Sequence, residues 1–269
     1  MYSLNFNGFN LIMFVSVVIG MTFALLLIFG PRKNQRANRF LAIILLIVTA
    51  WIFWVASIDI NLERYFPIIN VLPFTFSLAL GPSIYFYVKF LCWPEKEMSL
   101  YNYWHFIPVL LEIVAHIFKV LESQSSGTSP EETEVFITLY PFIQLASLIS
   151  VAVYVIYSLK QLKSFHLFLK ENFSDYLKYQ LHWLQRLLII FTILELCWLP
   201  YTLVDYFIFD FNLSIAAYYP LYLLISMITI WLGIEAFLRP ELVVLNRTSN
   251  LNYQENKAAT ADDIQKGRW

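Results

Sequence analysis

Cysteine is scarce in this chain. Cys92 and Cys197 are the only two among 269 residues, which excludes a disulfide framework and leaves no Cys-based metal-ligand spacing. Charge is equally thin, at 14% of residues with a formal net charge of -1, so no bulk field points to nucleic acid or acidic partners. The first ten residues hold no Lys or Arg, and the apolar run behind them lacks the basic start and the cleavage site of a signal peptide. It is expected to be a retained span. No Gly-rich phosphate loop, nucleophile elbow, HExxH pair or kinase signature occurs, so no enzyme is expected, and no cofactor or metal. Internal repeats, low-complexity tracts and the mirrored broken helices of inverted-repeat transporters are missing too.

What fills the chain is apolar. Hydrophobic residues make up 59% and aromatics 18%, too much for a water-soluble domain of this length. Seven apolar segments, at 11–29, 40–58, 68–91, 104–121, 135–157, 187–209 and 215–238, each approach the roughly 20 residues that span a bilayer. The expected fold is an all-α bundle of seven transmembrane helices over 1–238, followed by a polar cytoplasmic tail at 239–269. Placing the N-terminus outside and the C-terminus inside leaves only Arg64 and Lys119, of 18 basic residues, on the outer side, which is the cytoplasmic bias of membrane proteins. Arg32, Lys33, Arg36 and Arg39 then anchor the first inner loop, Lys89 extends from the third span, and Lys160 and Lys163 anchor the longest inner connection. That connection, 158–186, suits either a helix lying on the headgroups or two helix extensions joined near Asn172. The outer connections are too short for a ligand-binding domain, so a signal must be read by a small loop surface, the lipid or the bundle interior.

The third segment organises the rest. Within Ile68 to Leu91 the pair Gly81-Pro82 interrupts an otherwise unbroken apolar run, and a proline there predicts a bent helix whose freed backbone a Ser77 or Ser83 hydroxyl helps to satisfy. Gly81 and Pro82 are the candidate hinge. The fourth segment carries His105, Glu112 and His116 at offsets of seven and four, which a helix places on one face, and Glu195 lies deep in the sixth. These four form the candidate intramembrane polar site. They suit a ligand, proton or metal site, or interhelical hydrogen bonding, which is the favoured reading; Glu195 has His116 and Gln144 as candidate partners. Asp205 and Glu235 sit nearer span ends and are expected to reach water. The aromatic clusters 51–54, 101–104 and 218–219 suit interfacial belts.

Several short motifs, in order, resemble the seven-span membrane half of the AraC/XylS-type transcriptional regulators of Bacteroidetes-like bacteria. They are Asn38-Arg39-Phe40-Leu41-Ala42, Gly81-Pro82-Ser83-Ile84-Tyr85-Phe86-Tyr87-Val88-Lys89, His105-Phe106-Ile107-Pro108, Leu181-His182-Trp183-Leu184 and Arg239-Pro240-Glu241. The resemblance implies a signal-input module in the bacterial inner membrane, coupled to a cytoplasmic DNA-binding domain with two helix-turn-helix units. The tail after Arg239 is too short for that domain, so DNA is expected as a partner only through a C-terminal domain this chain does not carry. The bilayer and a small ligand or membrane signal are the other expected partners; a homodimer stays open, since no heptad or small-xxx-small face demands one. The alternatives are a small-solute transporter or membrane enzyme, and the input half of another seven-span receptor such as a histidine kinase.

Overall fold

A computed structural model of the chain describes residues 4, 6–31, 34–128, 133–173, 176, 181–209 and 213–238. Arg32, Lys33 and the whole tail from Arg239 therefore lie outside the described residues. The regular elements within them are all helical: α1 (Gly8–Phe29), α2 (Gln35–Asp59), α3 (Ile68–Val71), α4 (Ser77–Cys92), α5 (Ile107–Ser126), α6 (Glu134–Asn172), α7 (His182–Phe209) and α8 (Tyr219–Leu238), with short 3-10 turns before α5 and α8. Their ends follow local side-chain chemistry. Asn7 and Asn10 form a reciprocal capping box at the start of α1, the Thr133 hydroxyl takes the Phe136 N–H at the start of α6, and Gly127 closes α5 in the left-handed conformation at φ 69°.

Among the described residues, six helical stretches are long and apolar enough to cross a membrane, which fits a multi-pass membrane protein. The segment read as a single third span bent at Gly81-Pro82 is not one of them. It is divided into the four-residue α3 and the 16-residue α4, and the division falls at Pro73 rather than at Pro82. Leu72, just before Pro73, is extended at φ -75° and ψ 137°, the conformation forced on a residue whose successor is proline. α4 runs through Gly81 and Pro82 uninterrupted. The Ser83 hydroxyl donates to Ala79 O at 2.7 Å and Ser77 is engaged elsewhere, so neither repairs the carbonyl of Leu78 in the way expected.

α4 alone reaches about 24 Å, short of a hydrocarbon core of about 30 Å. Asn34 Nδ2 donates to Phe90 O at 2.9 Å and Arg36 to Lys96 O at 2.8 Å, which puts the end of α4 beside the start of α2. At the opposite end Asp59 accepts from the Tyr219 hydroxyl at 2.8 Å and from Asn10 Nδ2 at 3.2 Å, joining α1, α2 and α8. The helices α1, α2, α4, α6, α7 and α8 make a ring of neighbours, with α5 packed outside α4 and α6. The connection after α6 takes the second expected form, two helix extensions, since α6 continues to Asn172 and α7 begins at His182.

Apolar helices in lipid gain nothing from leaving water, so close approach and hydrogen bonds must hold them together. Gly81 supplies one such approach. A Cβ there would stand 2.8 Å from Tyr154 Cδ2 and 2.9 Å from Ser150 Oγ of α6, so this glycine is a contact surface between α4 and α6. Gly81→Ala is expected to destabilise the protein by about 1–3 kcal/mol through overpacking, read as a lower unfolding midpoint in detergent. Pro82→Ala, which restores a helical N–H, should leave the midpoint unchanged or raise it; a midpoint insensitive to Gly81→Ala would contradict the tight contact.

Candidate functional site

The interruption between α3 and α4 leaves backbone groups unpaired on both sides, and a single turn of α5 meets them. On the α4 side Glu112 Oε1 accepts from the Ser77 N–H at 2.9 Å and the Ser77 hydroxyl at 2.8 Å, while Oε2 accepts from the Leu78 N–H at 3.1 Å. A carboxylate at a helix N-terminus also faces the positive end of the macrodipole. On the α3 side His116 Nε2 lies 2.9 Å from Val71 O; a carbonyl can only accept, so this nitrogen carries the proton. The spacing of four that put Glu112 and His116 on one face thus lets one helix bracket the broken crossing.

Glu112 is 5% exposed and is the one buried residue of α5. Inward of it lies a cavity of about 110 Å³, walled by apolar residues such as Leu45, Leu80, Phe191 and Ile228 and carrying Glu112, Tyr140 and Gln144 as polar points. That is comparable to the roughly 150 Å³ that takes up benzene in an engineered protein. A smaller cavity of about 50 Å³ adjoins it on the side of His116 and Lys119, sharing Thr75, Glu112, Tyr140 and Ile143 as lining. Glu112 therefore stands between a chamber and its antechamber. Gln144 Nε2 donates to Thr202 Oγ1 of α7 at 3.0 Å, fixing the far wall.

The other candidate residues go elsewhere. His105 sits on the 3-10 turn Leu100–Phe106 rather than on α5, so the seven-residue offset does not carry it to Glu112. Its Nδ1 is 2.7 Å from the Tyr154 hydroxyl. His116 and Gln144 are bonded to Val71 and Thr202; the Glu195 side chain lies outside the described residues. No three His, Cys, Asp or Glu side chains could share a metal ion among the described residues.

Three readings of residue environment, those of Asp205, Trp51 and Tyr218, are corrected, Tyr218 being buried at 8% exposure. Asp205 is buried instead of reaching water, with Oδ2 accepting from the Tyr218 hydroxyl at 2.7 Å and Oδ1 from the Leu213 N–H at 3.0 Å. Trp51 lines the central cavity and packs edge-on to Trp198 at 5.0 Å, so it belongs to the interior and not to an interfacial belt. Lys89 is half-buried, its ammonium 5.3 Å from the Phe86 ring centre and 5.6 Å from that of Phe90. Tyr101 and Trp104 are exposed, as an interfacial belt requires.

Sequence reasoning missed Leu78 and Val71 and gave Ser77 a different task; the backbone groups of these three are the partners of the polar pair. The signal was the Leu72-Pro73 step, which marks a helix boundary ahead of a polar N-terminal turn. It also missed Glu122, which repeats the action of Glu112 one helix further on: its carboxylate accepts from the Glu134 N–H at 2.8 Å and the Val135 N–H at 3.1 Å at the start of α6.

Compared with models of protein families, with curated proteins and with solved structures, the chain matches none.

Glu112→Ala strands the N–H groups of Ser77 and Leu78 and the Ser77 hydroxyl and is expected to cost about 1–3 kcal/mol, with faster amide exchange at Ser77 and Leu78. Glu122→Ala should instead speed exchange at Glu134 and Val135 and spare the first pair. Unchanged exchange at Ser77 and Leu78 in Glu112→Ala would remove the capping role.

Proposed function

We propose that this chain is a membrane-embedded signal-input module, and that a small, mostly apolar molecule with a hydrogen-bonding group, lodged under Glu112, is what it reads. One observation carries this: α5 buries almost nothing, is clasped to the bundle by polar groups at Glu112, His116 and Glu122, and has a cavity behind the first of these clasps. A helix held by a few hydrogen bonds can adopt a second arrangement, and a ligand that favours one arrangement shifts the balance between them. No catalytic role is assigned to any residue.

Charge supports an orientation with the N-terminus outside and seven crossings, the third of them interrupted. Arg64 and Lys119 belong to the Asp59 end, whereas Arg36, Arg39, Lys89, Lys160 and Lys163 gather at the other, as the cytoplasmic bias requires. The smaller cavity then opens toward the outside. The resemblance to the membrane half of AraC-type regulators supports a bacterial inner-membrane location and an output through a cytoplasmic DNA-binding domain beyond this chain.

A second reading, a small-solute carrier, has its own support in the interrupted helix, whose half-helix N-terminus is a recurring element of transporters and is here occupied by Glu112. Both readings are tested with benzyl alcohol as the probe. Under the input-module reading the probe raises the unfolding midpoint, Ser147→Leu abolishes the rise by filling the cavity, and spin labels at the exposed positions 110 and 149 report a changed distance between α5 and α6. Probe binding with an unchanged distance would sink the relay. Probe uptake into proteoliposomes that Glu112→Gln abolishes would favour the carrier.

A further inference from the structure

α6 is longer than a membrane is thick. Its 39 residues extend about 58 Å against a hydrocarbon core of about 30 Å. Its first turn is held by Glu122 near the Asp59 end, so the overshoot falls at the other end, past Tyr157. There, between α6 and α7, runs a groove of about 420 Å³ with Leu159, Leu162 and Ile189 as apolar walls and Lys163, Lys170 and Gln185 at its polar edge. Lys163, His166 and Lys170 follow one another at spacings of three and four, so they share one helix face. His166 is already committed: its Nε2 accepts from the Leu181 N–H at 3.2 Å, pinning the start of α7 against the groove. Lys163 and Lys170 are exposed, and neither makes an ion pair among the described residues. Leu167 and Ile189, 53% and 43% exposed, continue the apolar surface.

An apolar wall at Leu159, Leu162 and Ile189, with a cationic edge that begins at Lys163 and continues two turns further to Lys170, has the layered chemistry of an anionic phospholipid. A soluble phosphate would use the two ammonium groups and leave the leucines without a role. We propose that this groove binds the phosphate-bearing headgroup and upper acyl chain of an anionic phospholipid, with Lys163 and Lys170 as the phosphate ligands. The groove holds the α6 and α7 extensions together by what it binds.

Native mass spectrometry of the purified full chain, titrated with phosphatidylglycerol in detergent, tests the site. The wild type should retain phosphatidylglycerol in preference to phosphatidylcholine. K163Q/K170Q should bind it roughly 25-fold more weakly, about fivefold for each ammonium removed. K163R/K170R should keep the affinity, and K160Q should leave it unchanged, because Lys160 lies outside the groove, 5.5 Å from the Tyr157 ring centre. Both groove lysines are exposed, so an unchanged helical circular dichroism spectrum confirms that each variant is folded. Equal retention of the two lipids, an unaltered affinity in K163Q/K170Q, or a loss in K160Q as large as in the double variant overturns the proposal. Displacement of the lipid by millimolar inorganic phosphate does so too, by identifying a soluble anion as the ligand.

Discussion

A carboxylate borrowed from one helix closes the open end of another, and the rest of the bundle is arranged around that bond. Within hydrocarbon there is no water to receive a free N–H or C=O, so an interrupted helix is tolerated only where protein groups replace the missing partners. The step at Leu72-Pro73 frees such groups in both directions. Glu112 supplies acceptors for the N–H groups of Ser77 and Leu78, and His116 supplies a donor for the carbonyl of Val71. The Ala79 N–H turns back to Phe76 O at 3.1 Å, so the first turn of α4 is satisfied without solvent. Removing the carboxylate removes the condition under which α4 can begin where it does.

The bundle uses two different solutions to association in lipid. Around α1, α2 and α8 the backbones approach closely at small residues: Gly20 faces Thr49 and Thr229, and Ser16 and Ala24 are fully buried on the same helix. That packing maximises dispersion and is insensitive to charge. α5 takes the opposite course. Its Leu110, Leu111, Ile117 and Phe118 are exposed, and its attachments are hydrogen bonds from Glu112, His116 and Glu122 to backbone groups of its neighbours. A few directional bonds fix position as well as interdigitated side chains do, yet they can be exchanged for others one at a time. Core helices built on close contact have no such freedom.

Much of this was legible in the sequence. Apolar length located the helices, and the spacing of Glu112 and His116 put them on one inward face. What remained hidden has one cause: the deciding partners are backbone groups, whose availability depends on where a helix stops. The chain has prolines at 73 and 82, both of which bias the preceding residue away from a helix, and only the polar turn that follows Pro73 distinguishes them. Pro82 lies within a helix whose neighbouring backbone packs tightly at Gly81, so the helix passes through; Pro73 stands in extended chain. The same uncertainty misplaced His105, because the offset of seven to Glu112 assumes a helix that in fact begins at Ile107. Trp51 and Tyr218 were misread for a related reason. Aromatic residues suit both headgroups and interiors, and only the opposing Trp198 and Asp205 decide between them.

The geometry also limits how a displacement of α5 could be transmitted. Glu112 grips the first turn of α4 and Glu122 the first turn of α6, so any shift of α5 acts on two helices at once. Those two helices are locked to each other where Gly81 meets Ser150 and Tyr154, a contact too close for one to slide past the other without steric cost. That contact ties the two helices together at one level of the bundle. α6 is the longer of the two: it passes the central cavity at Gln144 and continues to Asn172, well past the end of α4 at Cys92. Its far end lies beside Lys163 and His166, where α6 meets the start of α7. Coupling by this route needs no chain of side-chain rearrangements, only a rigid pair of helices with two positions for the clasp that holds them.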